Sequence, residues 1–235
     1  MSSSHSARRS LRGRRPAVRT RLRTGARRLT EIPHWLVLRR LGRRRSREYR
    51  DYLAIQLRRT LAKRETDPGV GAVTLINRVA DERRDGGRVL CVGCRNALEL
   101  DRFHARGFED VVGIDVFSQR DDIKVMDMHE MTFPDDSFDV VYCSHALEHS
   151  YDVHRVVEEV VRVARDDAVV GVEVPVRVQA SSADRVVFSG LDELRESFAA
   201  HVGEVLLAEE QPPRSETNEQ GTDIARLVFR VRKDR

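Results

Sequence analysis

The stretch that decides the fold runs from Arg88 to Val116, RVLCVGCRNALELDRFHARGFEDVVGIDV. It holds a short apolar run that ends at Gly93, a segment with helical apolar spacing over residues 96–106, and a second apolar run over residues 111–116. A strand, a helix and a second parallel strand form a βαβ unit, whose crossover is almost always right-handed. The stretch therefore predicts a parallel sheet with helices packed against it.

An acidic residue, Asp115, closes the second apolar run about 20 residues after the turn at Gly93. A carboxylate at this position can accept hydrogen bonds from the two hydroxyls of a ribose. We therefore expect a nucleoside-bearing cofactor to lie across the carboxyl ends of the parallel strands.

Strands and helices continue to alternate along the rest of the chain. Apolar runs predict strands at residues 123–128, 138–144, 169–174, 204–209 and 224–231, and helical spacing predicts helices at residues 70–84, 152–165 and 191–200. The last two strands can pair as a hairpin. The predicted fold class is α/β: a Rossmann-like, doubly wound, mostly parallel seven-stranded sheet with an antiparallel edge hairpin.

Charge is divided unevenly along the 235 residues. Residues 1–64 hold 21 Lys and Arg against three acidic residues, whereas residues 65–235 hold 21 basic and 35 acidic residues. We interpret residues 1–45 as a basic, disordered arm, residues 46–66 as a basic amphipathic helix, and residues 67–235 as the folded domain.

Two interpretations of the amphipathic helix stay open. Its apolar stripe can dock on the domain, which we favour, or the helix can lie on an anionic membrane or track phosphates. The stripe consists of Tyr49, Tyr52, Leu53, Gln56, Leu57 and Leu61. A polyanion, either nucleic acid or an anionic membrane surface, is an expected partner of residues 8–64, although an Arg- and Ser-rich start is also typical of an organellar transit peptide.

Three cysteines, Cys91, Cys94 and Cys143, make no disulfide framework and suit a reducing compartment. Cys91 and Cys94 form a C-x-x-C, but Cys91 lies in an apolar strand and no second pair has the spacing of a zinc site, so neither redox chemistry nor a metal is expected. No apolar run approaches the roughly 20 residues that span a bilayer. We expect a cytoplasmic protein.

Four segments occur in order over about residues 88–175: VLCVGCRN, VVGIDV, KVMDMHEMTFPDDSFDVVYCSHALEHSYD and RVARDDAVVGVEVP. Their order and spacing resemble the class I S-adenosylmethionine-dependent methyltransferases, in particular the methyltransferase-11-like small-molecule subgroup. The resemblance implies S-adenosylmethionine as cofactor. It implies a cofactor site made of Gly93, Cys94, Arg95 and Asn96 at the methionine part, Asp115 and Val116 at the ribose, Asp127 and Met128 at the adenine, and Ser144 below the sulfonium.

Two histidines, His145 and His149, would then face the mouth of the active site. Either can position the acceptor or act as a general base, and we take both as candidate catalytic residues. With Glu148 they form H-x-x-E-H, which is also the inverted zinc-protease signature. Here the pattern follows a buried strand instead of lying on a helix, so no metal is assigned.

The first motif departs from the family's usual G-x-G-x-G, because Arg95 and Ala97 replace two glycines. Arg95 can pair with the cofactor's carboxylate, or it can obstruct binding and leave a non-catalytic binding module. The leading hypothesis is in-line methyl transfer to a small-molecule acceptor such as a sugar or glycan hydroxyl. A nucleic-acid methyltransferase that uses the basic arm is the alternative, but no Asn/Asp-Pro-Pro-Tyr-type motif follows the fourth strand, where Ser144 and His145 stand.

Overall fold

The structure is a computed structural model that describes Gly42 and residues 45–62 and 68–233. Nearly all of the predicted basic arm, and with it most of the expected polyanion site, lies outside these residues.

The described residues form a seven-stranded sheet flanked by helices. The helices are α1 (Arg47–Ala62), α2 (Val70–Glu82), α3 (Glu99–Ala105), α4 (Val153–Val163) and α5 (Leu191–Phe198). The strands are β1 (Arg88–Val92), β2 (Asp110–Asp115), β3 (Ile123–Val125), β4 (Phe138–Ser144), β5 (Ala164–Pro175), β6 (Val202–Gln211) and β7 (Ile224–Val231). Short 3₁₀ turns span Leu147–His149 and Ala199–His201.

The strand order is β3-β2-β1-β4-β5-β7-β6. The first five strands in this order are parallel, whereas β7 runs antiparallel to both β5 and β6. The predicted fold class, including the antiparallel edge hairpin, is confirmed. Because the strand order reverses at β1 and β4, the carboxyl ends of these strands border the crevice where open α/β sheets bind ligands.

Helices cover both faces of the sheet. On one face α2 and α3 pack through Leu75, Val79 and Phe103, and on the other α4 and α5 pack through Val160 and Phe198. All five side chains are at most 1% exposed. Strands buried on both faces explain why β4 and β5 are rich in valine instead of alternating with polar residues.

Several predicted boundaries are wrong. Strand β3 ends at Val125 and not at Met128. Helix α3 begins at Glu99 and not at Asn96, because Arg95 has a φ of 48° and the amide of Ala97 donates to the carbonyl of Cys94 in a turn. Strand β5 begins at Ala164, so the predicted helix end and turn at residues 164–167 are strand.

The hairpin strand β6 forms one edge of the sheet and pairs with β7 alone among the described strands. Its register shifts between Val202 and Glu204 and again between Val205 and Leu207. Its exposed positions include two glutamates, Glu204 and Glu210.

A buried ion pair joins β5 to β7. Glu173 and Arg226 are partners in the strand register, both are 0% exposed, and Arg226 Nε donates to Glu173 Oε2. Arg226 also donates to Glu209 at 2.9 Å and to Thr217 Oγ1 at 3.3 Å. Each charge is therefore satisfied by named partners, as a buried charge must be.

Replacing Arg226 with Leu should lower the free energy of unfolding by about 3–5 kcal/mol, because Glu173 would remain buried without its main partner. Denaturant unfolding at neutral pH measures this loss. Arg84→Leu is the control, since Arg84 is exposed and should contribute little. A loss at Arg226 no larger than the loss at Arg84 would show that the pair is not needed for stability.

Candidate functional site

The turn after β1 is built around Gly93, which has a φ of 73°. A Cβ at this position would overlap the Cβ of Ala146, so both the backbone angle and the available space require glycine. The amide of Gly93 donates to the carbonyl of Ile114 at 2.9 Å. These contacts bring the turn, the end of β2 and the segment after β4 together at one edge of the sheet.

Asp115 lies beside this turn at the end of β2. Its Oδ2 accepts from the amide of Arg95 at 2.9 Å and its Oδ1 accepts from the amide of Phe117 at 3.0 Å. Burial raises the pKa of Asp115 above its usual value, and these amide donors offset only part of that rise. Since each carboxylate oxygen can accept more than one hydrogen bond, the anchored carboxylate can still receive two hydroxyls.

Asp127 lies at the opposite end of the cleft. It accepts from the amide of His129 at 3.0 Å, from His129 Nδ1 at 2.7 Å and from the hydroxyl of Tyr49. Burial alone would raise the pKa of Asp127, but the hydrogen bonds of His129 and Tyr49 outweigh burial and lower it. His129 Nε2 accepts from the amide of Tyr151 at 2.9 Å, which fixes the proton on Nδ1.

Helix α1 lies over the carboxyl ends of β1, β2 and β3. Tyr49 contacts Asp127 near one end of the helix, and the carbonyl of Thr60 accepts from Asn96 Nδ2 at 3.3 Å near the other. Between these contacts, Tyr52, Leu53 and Leu57 pack with Val116 and Phe117. The interpretation that the apolar stripe docks on the domain is confirmed for these residues, although Leu61, also assigned to the stripe, is 47% exposed.

A small cavity remains between α1 and the strand ends. Its walls include six of the predicted site residues: Gly93, Arg95, Asp115, Val116, Met128 and His149. Its volume is about 30 Å³, which is room for a water molecule and not for a nucleoside. Side chains of α1 must therefore move before a cofactor can lie along this cleft.

A larger cavity of about 490 Å³ lies at the Asp127 end of α1. Tyr49, His129, Tyr151 and Arg155 contribute to its walls. Since Tyr49 lines this larger cavity and also contacts Asp127, a rotation of its side chain would connect Asp127 to open space.

Two further predicted site residues, Cys94 and Ser144, have side chains that are engaged within the protein. The Cys94 thiol lies in the apolar core, 3.6 Å from the carbonyl of Ile114, so only its backbone can reach a ligand. Ser144 donates to Glu173 at 3.2 Å. All three cysteines are free and buried, and burial raises the pKa of the Cys91 and Cys94 thiols well above their usual value, which does not suit redox chemistry.

His145 follows β4 with a φ of 51°. Its Nδ1 lies 3.5 Å from Glu148 and its Nε2 lies 3.2 Å from Glu173. Burial opposes its protonation, but the two carboxylates outweigh burial and raise the pKa of His145 to about 10. At neutral pH His145 is therefore a cation, which cannot accept a proton.

His149 is held differently. Its Nδ1 lies 2.9 Å from Asp184 and 3.1 Å from the carbonyl of Ala183, so Nδ1 carries the proton and Nε2 keeps a lone pair. Burial lowers the pKa of His149 to about 4, against the opposing effect of Glu148. His149 is thus neutral at pH 7 and lines the small cavity.

The two histidines do not form a metal site. Within residues 45–62 and 68–233, no group of three or more His, Cys, Asp or Glu side chains is placed to hold a metal ion. In the same part of the chain, no helix is both long and apolar enough to cross a membrane.

Sequence reasoning missed several residues at the site. Glu173 and Arg226 are each flanked by apolar residues within a strand, in VVGVEVP and IARLVF, which is a detectable signal because charged residues are almost never fully buried unless paired. The sequence pattern places Gln56 in the apolar stripe of α1, although its side chain is polar. Tyr49 and Asp184 had no such signal, since their partners lie 78 and 35 positions away in the chain.

Residues 90–172 match the model of the family described as a methyltransferase domain. The chain carries a class I S-adenosylmethionine-dependent methyltransferase domain. The predicted enzyme class, a methyltransferase, and the predicted cofactor, S-adenosylmethionine, are confirmed with it. The match covers β1 to β5, which includes every predicted site residue.

Solved structures share this fold at low sequence identity. The N-methyltransferase NodS from Bradyrhizobium japonicum WM9, in complex with S-adenosyl-L-homocysteine, is 12% identical with a TM-score of 0.54, and the alignment covers 68% of this chain and 86% of that one. The 1,6-didemethyltoxoflavin-N1-methyltransferase of Burkholderia thailandensis is 15% identical with a TM-score of 0.53, covering 68% and 79%. The [4+2]-cyclase SpnF is 20% identical with a TM-score of 0.51, covering 68% and 81%. No curated protein sequence matches the chain.

The His145 cation should make stability depend on pH. Its folded-state pKa of about 10 lies above the ordinary value of 6.5, so its stabilisation is complete below about pH 6.5 and is lost as pH rises through about 10. The difference in unfolding free energy between the wild type and His145→Gln should therefore shrink from pH 6 to pH 10. A difference that stays constant over this range, measured by denaturant unfolding, would contradict the cation.

Proposed function

We propose that this chain transfers the methyl group of S-adenosylmethionine to a small-molecule acceptor by in-line displacement. The sulfonium supplies an already activated methyl group, so the chain's main task is to align it with the acceptor atom. A sugar or glycan hydroxyl is the first acceptor class to test.

The described residues fit this cofactor. The observation that carries the proposal is the pairing of Gly93, which tolerates no Cβ, with the anchored carboxylate of Asp115 at the point where the strand order reverses. The Gly93 turn, with the backbone of Cys94 and the polar groups of Arg95 and Asn96, would hold the methionine part. Asp115 would accept the ribose hydroxyls, with Val116 beside them.

Asp127 would accept from the exocyclic amine of the adenine, with Met128 against the ring and Ser144 below the sulfonium. In the structure the hydroxyl of Tyr49 donates a hydrogen bond to Asp127. It would have to give up this hydrogen bond when the adenine enters.

His149 is the better candidate for a general base. It is neutral, its Nε2 has a lone pair, and it lines the same small cavity as Gly93 and Asp115. An acceptor hydroxyl must lose its proton when it takes the methyl group. Nε2 can receive that proton because the Glu148 carboxylate, 3.7 Å away, would stabilise the imidazolium that forms. His145, as a cation between Glu148 and Glu173, is better suited to holding the end of β4 in place.

We also propose the division of the chain into a basic arm (residues 1–45), a helix (residues 46–66) that covers the cofactor site, and a catalytic domain (residues 67–235). A cytoplasmic location suits three free cysteines.

Calorimetric titration with S-adenosylmethionine and S-adenosylhomocysteine tests the function. Asp115→Ala should weaken the binding of both ligands about tenfold or more, because it removes the carboxylate that would accept hydrogen bonds from the two ribose hydroxyls. Asp115→Asn keeps one acceptor oxygen, so it tests whether a loss of binding comes from misfolding of the turn. Asp110→Ala, at the other end of the same strand, is the matched control. Folded wild-type protein that binds neither ligand would overturn the proposal.

Tyr49→Phe should bind S-adenosylmethionine more tightly, by up to about tenfold, because the hydroxyl that competes for Asp127 is gone. Tyr151→Phe is the control, since the Tyr151 hydroxyl donates to the exposed Glu48 and not to Asp127. Weaker binding by Tyr49→Phe, in the same titration, would mean that this hydroxyl contributes to the cofactor site instead of competing with it.

A further inference from the structure

The contacts of α1 set its register along the cleft. Tyr49 marks the end at Asp127, and Thr60 marks the end at Asn96, next to the Gly93 turn. Thr60 follows Tyr49 by 11 positions, which corresponds to about 16 Å of helix. Gln56 lies one turn before Thr60, and so on the side of the cleft where the methionine part of the cofactor would lie.

The side-chain amide of Gln56 is buried, and among the described residues only its oxygen has a hydrogen-bond partner. Gln56 is 5% exposed and lines the small cavity. Its Oε1 accepts from Arg59 Nη1 at 3.3 Å, whereas its Nε2 has no hydrogen-bond partner among the described residues. A buried amide donor without a partner is uncommon and costs free energy, so the site calls for an acceptor atom that the described residues do not supply.

Arg95 lines the same cavity. Its backbone amide is bound to Asp115, but within residues 45–62 and 68–233 its guanidinium has neither a hydrogen bond nor an ion pair. The cavity wall therefore presents a neutral donor from α1 and a cation from the turn after β1. Together they suit an anionic group.

We propose that Gln56 Nε2 donates to the α-carboxylate of the methionyl group of S-adenosylmethionine, beside the guanidinium of Arg95. This inference rests on the proposed function. The donor Nε2 needs an acceptor. At this end of the cofactor the carboxylate is an acceptor, whereas the amino group is a donor and the sulfonium is a cation. The ribose hydroxyls are matched by the acceptor Asp115 instead. Arg59 would be a positioning residue, because its bond to Oε1 leaves Nε2 as the unsatisfied end of the amide.

Gln56 lies outside residues 90–172, which match the family model. The helix that covers the cleft would thus contribute a cofactor contact that the core of the domain lacks.

The test compares two ligands by calorimetric titration of the full chain. S-Adenosylhomocysteine carries the methionyl-type carboxylate, whereas 5′-methylthioadenosine has the same nucleoside and thioether without it. Gln56→Leu should weaken the binding of S-adenosylhomocysteine about tenfold or more, and it should leave the affinity for 5′-methylthioadenosine within about twofold of the wild-type value. Gln56→Glu should weaken S-adenosylhomocysteine at least as much, because like charges repel. Gln220→Leu, at an exposed position, is the matched control.

Four results would overturn the inference. Equal weakening of both ligands would mean that Gln56 acts by docking α1. Unchanged binding of both would mean that a water satisfies Nε2. If Asp115→Ala loses both ligands while Gln56→Leu binds normally, the proposed function stands and the carboxylate contact fails. Wild-type protein that binds neither ligand would overturn the function and this inference together.

Discussion

The buried carboxylate of Glu173 is the interaction on which both the sheet and the site depend. From near the carboxyl end of β5 it binds Arg226 on β7, Ser144 at the end of β4 and His145 just beyond it. A carboxylate this deep is tolerated only with full compensation, so each partner is held where the carboxylate needs it. The antiparallel end of the sheet is therefore linked electrostatically to the end of β4 and the residue that follows it.

The second organising contact is the docking of α1 over the strand ends. The helix is basic overall, yet it buries two tyrosines and two leucines against the segment that follows β2. Glu48 of the same helix pairs with Arg185 at 2.9 Å, in the loop that carries Asp184. One helix thus contacts Asp127 at one end of the cleft, Asn96 beside the glycine turn and the loop behind His149, so a shift of α1 affects all three.

Much of this arrangement follows from local sequence. The Gly93 turn, the acid at Asp115 and the order of apolar runs predict the parallel half of the sheet, because strand length and turn chemistry are local properties. The contact of Tyr49 with Asp127 and the Asp184–His149 pair were not predictable, since each joins segments that only tertiary packing brings together. The contrast between His145 and His149 was equally hidden. They lie four positions apart, and their different protonation states depend on nearby carboxylates and on burial, which the sequence does not reveal.

The edge strand β6 has a consequence for how copies of this chain meet one another. An open strand edge offers free amides and carbonyls to any neighbouring strand, which is a common start of aggregation. Here two register shifts break the regular ladder, and Glu204 and Glu210 place carboxylates on the exposed side. A second β6 approaching this edge would meet an irregular backbone and two further carboxylates, both of which oppose extension of the sheet between molecules.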